Sequence, residues 1–139
     1  KIIQKGNPVT GNIEKVWVDH NITDSNGRKG MNIHVKFYIY NMLNKTGQAA
    51  AYFYYENGTP LKDQNNSYST SNGDVATHVT FTPNYENCVF NDLVIFMPYS
   101  ELHLTNSTSC YFIINIWNGN TGHDTAVAYS SKNYFQINF

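Results

Sequence analysis

From Met31 to Tyr40, apolar and polar residues alternate without a break. Met31, Ile33, Val35, Phe37 and Ile39 take one phase, and Asn32, His34, Lys36, Tyr38 and Tyr40 take the other. Period two over this length places the first set on one face of a β-strand and the second set on the opposite face. Gly27 and Gly30 punctuate its start, and Asn44-Lys45-Thr46-Gly47 its end. The next run, Gln48 to Tyr55, is expected to follow as the second arm of a hairpin. It closes at the turn signal Glu56-Asn57-Gly58-Thr59-Pro60.

Six further strands are predicted. Ile13 to Val18 comes first and contains Trp17. Val75 to Phe81 sets Val75, Thr77, Val79 and Phe81 against Ala76, His78 and Thr80. Asp92 to Met97 is a dense apolar run stopped by Pro98. Cys110 to Trp117 sets Phe112, Ile114 and Ile116 against Tyr111, Ile113, Asn115 and Trp117. Thr125 to Tyr129 is short, and Asn133 to Phe139 carries Phe135, Ile137 and Phe139 on one face. No segment repeats apolar residues at i, i+3, i+4 and i+7, although Tyr99 to Leu104 has room for one helical turn. The polar stretch Lys62 to Gly73 is read as a loop. About eight short strands with frequent turn signals predict an all-β antiparallel sandwich, immunoglobulin-like or jelly-roll-like.

Composition agrees. A chain of 139 residues predicts one domain, residues 1–139, long enough to bury a core without staples. Charged residues are only 14% of the chain and net charge is −1, so the basic footprint of a nucleic-acid binder is missing. No apolar run reaches the roughly 20 residues of a membrane span. The start Lys1-Ile2-Ile3-Gln4 reads as that of a processed or excised piece. Asn-X-Ser/Thr acceptors begin at Asn21, Asn44, Asn57, Asn65 and Asn106, which fits an extracellular or cell-surface protein. An AT-rich genome would enrich Asn as well. Cys88 and Cys110 lie at opposite ends of successive strands; they are one bridge or two small apolar side chains.

Several stretches together resemble a known family. They are Ile13-Glu14-Lys15-Val16-Trp17-Val18-Asp19-His20-Asn21, Lys29-Gly30-Met31 with Ile33-His34 and Phe37, and Ala51-Tyr52-Phe53-Tyr54. Pro60-Leu61-Lys62-Asp63, Phe81-Thr82-Pro83 and Phe96-Met97-Pro98-Tyr99-Ser100-Glu101-Leu102-His103-Leu104 complete the set. Roughly residues 13–117 are similar to a β-sandwich accessory domain, immunoglobulin-like or C2-like, of multidomain proteins in Bacteroidetes, where it accompanies protease-like and repeat modules. The resemblance implies a non-catalytic appendage and brings no catalytic motif and no defined ligand. The cysteines are not part of it.

Little in the sequence points to chemistry. His20, His34, His78, His103 and His123 show none of the close pairing typical of zinc ligands; a metal site would have to be assembled from distant strands. Asp19-His20 and His123-Asp124 are neighbours in sequence, whereas a triad is defined by geometry, and no Gly-X-Ser-X-Gly elbow exists. Paired carboxylates drawn from Glu14, Glu56, Glu86 and Glu101 would lack a deep glycosidase cleft. No cofactor is expected beyond calcium, for which Asp19, Asn21, Asp24 and Asn26 alternate in one loop; the same residues serve as turn formers. A small hydrolase would need a His and a carboxylate or Ser brought within about 3 Å.

The aromatic surplus is more informative. Eleven Tyr, eight Phe and two Trp make 15% of the chain. Most Phe fall on the predicted core phase, while Tyr38, Tyr40, Tyr52, Tyr54, Tyr111 and Trp117 fall on the outward phase. Trp17, flanked by Val16 and Val18, is assigned to the core. Outward rings on neighbouring strands would make a platform for a glycan, whose C–H faces stack on aromatic rings. The same platform suits a neighbouring protein domain, and cross-strand packing of the rings is the plain alternative. The expectation is a non-catalytic binding or accessory module of a larger exported or surface protein, with a structural or protein-interaction domain as the alternative.

Overall fold

The computed structural model describes residues 8–119 and 126–138. Eight β-strands are found among them: β1 (Thr10–Thr23), β2 (Lys29–Tyr40), β3 (Gly47–Tyr55), β4 (Ala76–Phe81), β5 (Asn87–Pro98), β6 (Thr108–Trp117), β7 (Ala128–Tyr129) and β8 (Asn133–Ile137). A single 3-10 turn, Tyr99–Leu102, follows β5. The strands form two antiparallel sheets. One has the order β1-β2-β5; the other runs β4-β3-β6, with β7 and β8 both pairing to β6. The all-β sandwich expected from the alternation is therefore the architecture. The start of the predicted Thr125 strand, the His123-Asp124 pair and Phe139 lie outside the described residues.

The core fills the space between the sheets. Met31, Ile33, Val35, Phe37 and Ile39 of β2 are all fully enclosed, facing Ala49, Ala51 and Phe53 of β3 and Phe112, Ile114 and Ile116 of β6. Phe37 stacks on Phe90 with centroids 4.9 Å apart and meets Phe81 edge-on at 5.1 Å. These are the offset and edge arrangements that aromatic quadrupoles favour.

One connection differs from the sequence reading. β2 and β3 do not form a hairpin: β2 pairs with β1 and β5, and β3 with β4 and β6. The link 41–46 instead carries the chain across the core from one sheet to the other. Met42 is fully enclosed within it, and Asn41 and Asn44 take left-handed φ values of 64° and 61°. Asn tolerates that region better than most residues. A buried apolar side chain in the middle of the link draws the backbone inward, where a hairpin loop would turn out to solvent.

A second correction concerns Trp17. It pairs with His34 across β1 and β2, and His34 belongs to the outward phase. Val16 and Val18 pack against the core while Trp17 lies on the outer surface. Alternation itself demands this, since neighbours in a strand point to opposite faces.

Candidate functional site

The six outward aromatics divide between two surfaces. Tyr38 and Tyr40 stand on the outer face of the three-stranded sheet. Tyr52, Tyr54, Tyr111 and Trp117 stand on the outer face of the five-stranded sheet, on the far side of the molecule. The sheet-to-sheet link 41–46 is the cause, because it separates β2 from β3.

The five-stranded sheet holds the better-formed site. Pairing of β3 with β6 sets Tyr54 opposite Tyr111, Tyr52 opposite Ile113, Ala50 opposite Asn115 and Gln48 opposite Trp117. Ala50 shares the outward phase but is itself covered, at 1% exposure. The Trp117 Nε1–H donates to the Tyr52 hydroxyl at 3.0 Å, which fixes both rings. Tyr54 stacks on Tyr111 at 4.9 Å with planes 16° apart. Burial, then the neighbouring Tyr111 and Asp74, hold the Tyr54 phenol above its ordinary pKa. It therefore stays a hydroxyl, able to donate and accept hydrogen bonds.

The loop before β4 raises a wall beside these rings. Thr70 N–H donates to the Asp74 carbonyl at 2.8 Å, and Gly73 N–H to the Thr70 carbonyl at 3.0 Å. The Thr70 hydroxyl oxygen accepts from the N–H groups of Asn72 and Asp74, each at 3.2 Å. Asp74 also pairs with Lys62. Together with Asn115, this wall and the rings of Tyr52, Tyr54 and Trp117 line a groove of about 440 Å³. It combines ring faces with hydroxyl, amide and carboxylate groups.

Tyr111 contributes less surface than the sequence implied. It is only 5% exposed. Tyr54 covers one side, Tyr134 lies at 5.5 Å, and the Lys132 ammonium sits 5.0 Å from its ring centre. Tyr111 buttresses Tyr54 from behind.

The opposite face is organised by charge. Tyr38 donates its hydroxyl proton to Glu14 at 3.1 Å, and Lys36 pairs with the same carboxylate at 2.9 Å. These two bonds hold Glu14 below the usual carboxylate range. His34 stacks flat on Trp17, 5.0 Å away at 6°. Its Nε2 lies 2.9 Å from Asp19 and its Nδ1 2.7 Å from Asp92.

Asp19 thus turns to His34, while His20 Nδ1 meets the Tyr99 hydroxyl at 2.7 Å; the two sequence neighbours form no dyad. Asp24, grouped with Asp19 as a candidate calcium ligand, accepts from the backbone N–H groups of Arg28 and Asn26 and pairs with the Arg28 guanidinium. A cavity of about 500 Å³ beside His20 and Tyr99 is larger than the aromatic groove. Among the described residues, the aromatic rings lining it are those of His20 and Tyr99, already engaged with each other.

Both cysteines are free, Cys88 half-buried in β5 and Cys110 enclosed in β6. No helix among the described residues is long and apolar enough to cross a membrane.

No family model matches the chain, and no curated protein matches it. Among solved structures it is similar to a bacterial adhesin from Mobiluncus mulieris that contains intramolecular disulfide, isopeptide and ester bond cross-links. Identity is 12% and the TM-score 0.46, over 93% of this chain and 57% of that one. The chain thus spans just over half the length of that structure, and a likeness at this level assigns neither family nor function.

Proposed function

We propose that this domain is a non-catalytic binding module of a larger exported or cell-surface protein, and that it takes a carbohydrate in the groove of Tyr52, Tyr54 and Trp117. The observation that carries this reading is the composition of that groove. Two rings are locked by the Trp117–Tyr52 hydrogen bond and a third is buttressed by Tyr111. They stand beside Asn115, Asn72, Asp74 and the Ser69-Thr70-Ser71 hydroxyls. Rigid ring faces stack on sugar C–H surfaces at little entropic cost, and short polar side chains suit vicinal hydroxyls. The two nitrogens of His34 are each taken by a carboxylate, so this imidazole has none left to move a substrate proton as the base of a small hydrolase.

Native-gel affinity electrophoresis over a panel of polysaccharides tests the proposal. The wild type is expected to be retarded on at least one polymer. Both Trp117→Ala and the double variant Tyr52→Ala/Tyr54→Ala are expected to run freely. Equal mobility of all three proteins on every polymer rejects the carbohydrate reading.

A second reading, a domain that docks on a neighbouring protein module, is favoured by β5. This strand forms one edge of its sheet and exposes Val89 at 41% and Val94 at 38%. Protection of β5 amides from hydrogen exchange in the parent protein, relative to the isolated domain, distinguishes it.

A further inference from the structure

Three ionisable side chains that the aromatic groove does not use converge where the loop after β3 meets the 3-10 turn after β5. Asp63 comes from the loop, Glu101 from the turn, and His103 ends the turn with its backbone in the left-handed region, φ 56° and ψ 38°. His103 Nε2 lies 3.2 Å from Asp63 Oδ1 and 3.6 Å from Glu101 Oε2. One ligand atom from each residue falls within 4.8 Å of the others.

The hydrogen bonding of this cluster is incomplete. The Asp63 side chain is 0% exposed, yet its Oδ2 has no hydrogen-bond partner, and neither has the buried Glu101 Oε2. Asn65 Nδ2 donates to the other Glu101 oxygen at 3.3 Å. A single Nε2–H can serve only one carboxylate. Two carboxylates crowded into a site this enclosed favour a counter-charge, which a bound cation supplies.

The geometry points to a divalent transition cation of the Zn²⁺ class, held by Asp63, Glu101 and His103. Metal–ligand distances near 2.1 Å in a tetrahedron put donor atoms about 3.4 Å apart, close to the two separations measured from Nε2. An imidazole among carboxylates selects such a cation over calcium or magnesium, which prefer all-oxygen shells. Bound there, the cation ties the loop after β3 to the turn after β5 and cancels the charge of both carboxylates.

Calorimetry and thermal melts of tag-free protein with ZnCl₂ test this. One equivalent of Zn²⁺ is expected to bind and raise Tm, whereas Ca²⁺ and Mg²⁺ at equal concentration do neither. Loss even of an outer-shell partner weakens metal binding roughly 10- to 100-fold. Asp63→Asn, Glu101→Gln and His103→Gln are therefore each expected to weaken it by about 100-fold or more. His34→Gln removes the other carboxylate-flanked imidazole and is expected to leave binding unchanged. Because a ligand variant can unfold, the wild type is also read directly. The ¹⁵N resonance of His103 Nε2 is expected to shift on addition of one equivalent, with those of His34 unmoved. The proposal is overturned by absence of Zn²⁺ binding, by binding that survives the three ligand variants, by binding that is lost in His34→Gln, or by preference for Ca²⁺.

Discussion

Cys110 sits in β6 without solvent exposure, and burial pushes its thiol up to about 11. The reactive species is the thiolate, so at neutral pH Cys110 is both shielded and protonated. Iodoacetamide at pH 8 is expected to label Cys88 in the folded protein and to reach Cys110 only after denaturant is added. Equal labelling rates, followed by mass spectrometry, would contradict this. His20 behaves in the opposite sense to a salt-bridged histidine. Burial lowers its pKa, so the folded chain binds its proton less readily than the unfolded chain, whose value lies near 6.5. The unfolded state therefore holds more protons as the pH falls through that value. The stability His20 contributes is complete above about pH 6.5 and is lost as pH drops through the lower folded-state value. Between pH 7.5 and 5.5 the wild type is expected to lose more Tm than His20→Gln, as calorimetry at each pH would show. Identical slopes would mean that His20 is not the group responsible.

At the scale of the strand, β2 is the element on which packing depends most. Phe37 contacts Phe81 and Phe90 with no exposure of its own. Its replacement by Ala is expected to cost about 3–5 kcal/mol in urea denaturation. Gly47 opens β3 where space is limited by neighbouring atoms. A Cβ there would lie 2.4 Å from the Trp117 carbonyl oxygen and 2.6 Å from the Met42 terminal methyl. Gly47→Ala is expected to lower Tm, while Gly11→Asn would meet a similar carbonyl, that of Tyr38, at 2.5 Å. The faces of these strands were legible in the sequence, because alternation reports which side chains share a side. Sheet membership was not, because period two is blind to which strand pairs with which. Met42 was the overlooked signal, an apolar residue within what otherwise reads as a hairpin turn. Trp17 was misplaced for another reason: two flanking valines were read as its company, although adjacent strand residues always part to opposite faces.

Across the whole molecule, the separation of the sheets decides which aromatics act together. Under the proposed function, Tyr40→Ala, on the far face, is expected to leave polysaccharide retardation unchanged, whereas Trp117→Ala abolishes it. Loss in both variants would point to a fold-wide effect rather than a groove. The Asp63–Glu101–His103 cluster illustrates why sites of this kind escape a linear reading. Asp63 and His103 lie forty positions apart in sequence, and only the return of β5 past the loop after β3 brings them together. The interleaved strand order also governs how the chain reaches its folded state. A nascent polypeptide extruded as far as Phe81 owns two ribbons, β1–β2 and β3–β4, each two strands wide and too thin to persist alone. The next strand of each sheet, Asn87–Pro98 in one and Thr108–Trp117 in the other, emerges afterwards, and β7 and β8 come last. Closure of the core therefore waits for β5 and β6, and until they arrive the apolar sides of both ribbons remain uncovered.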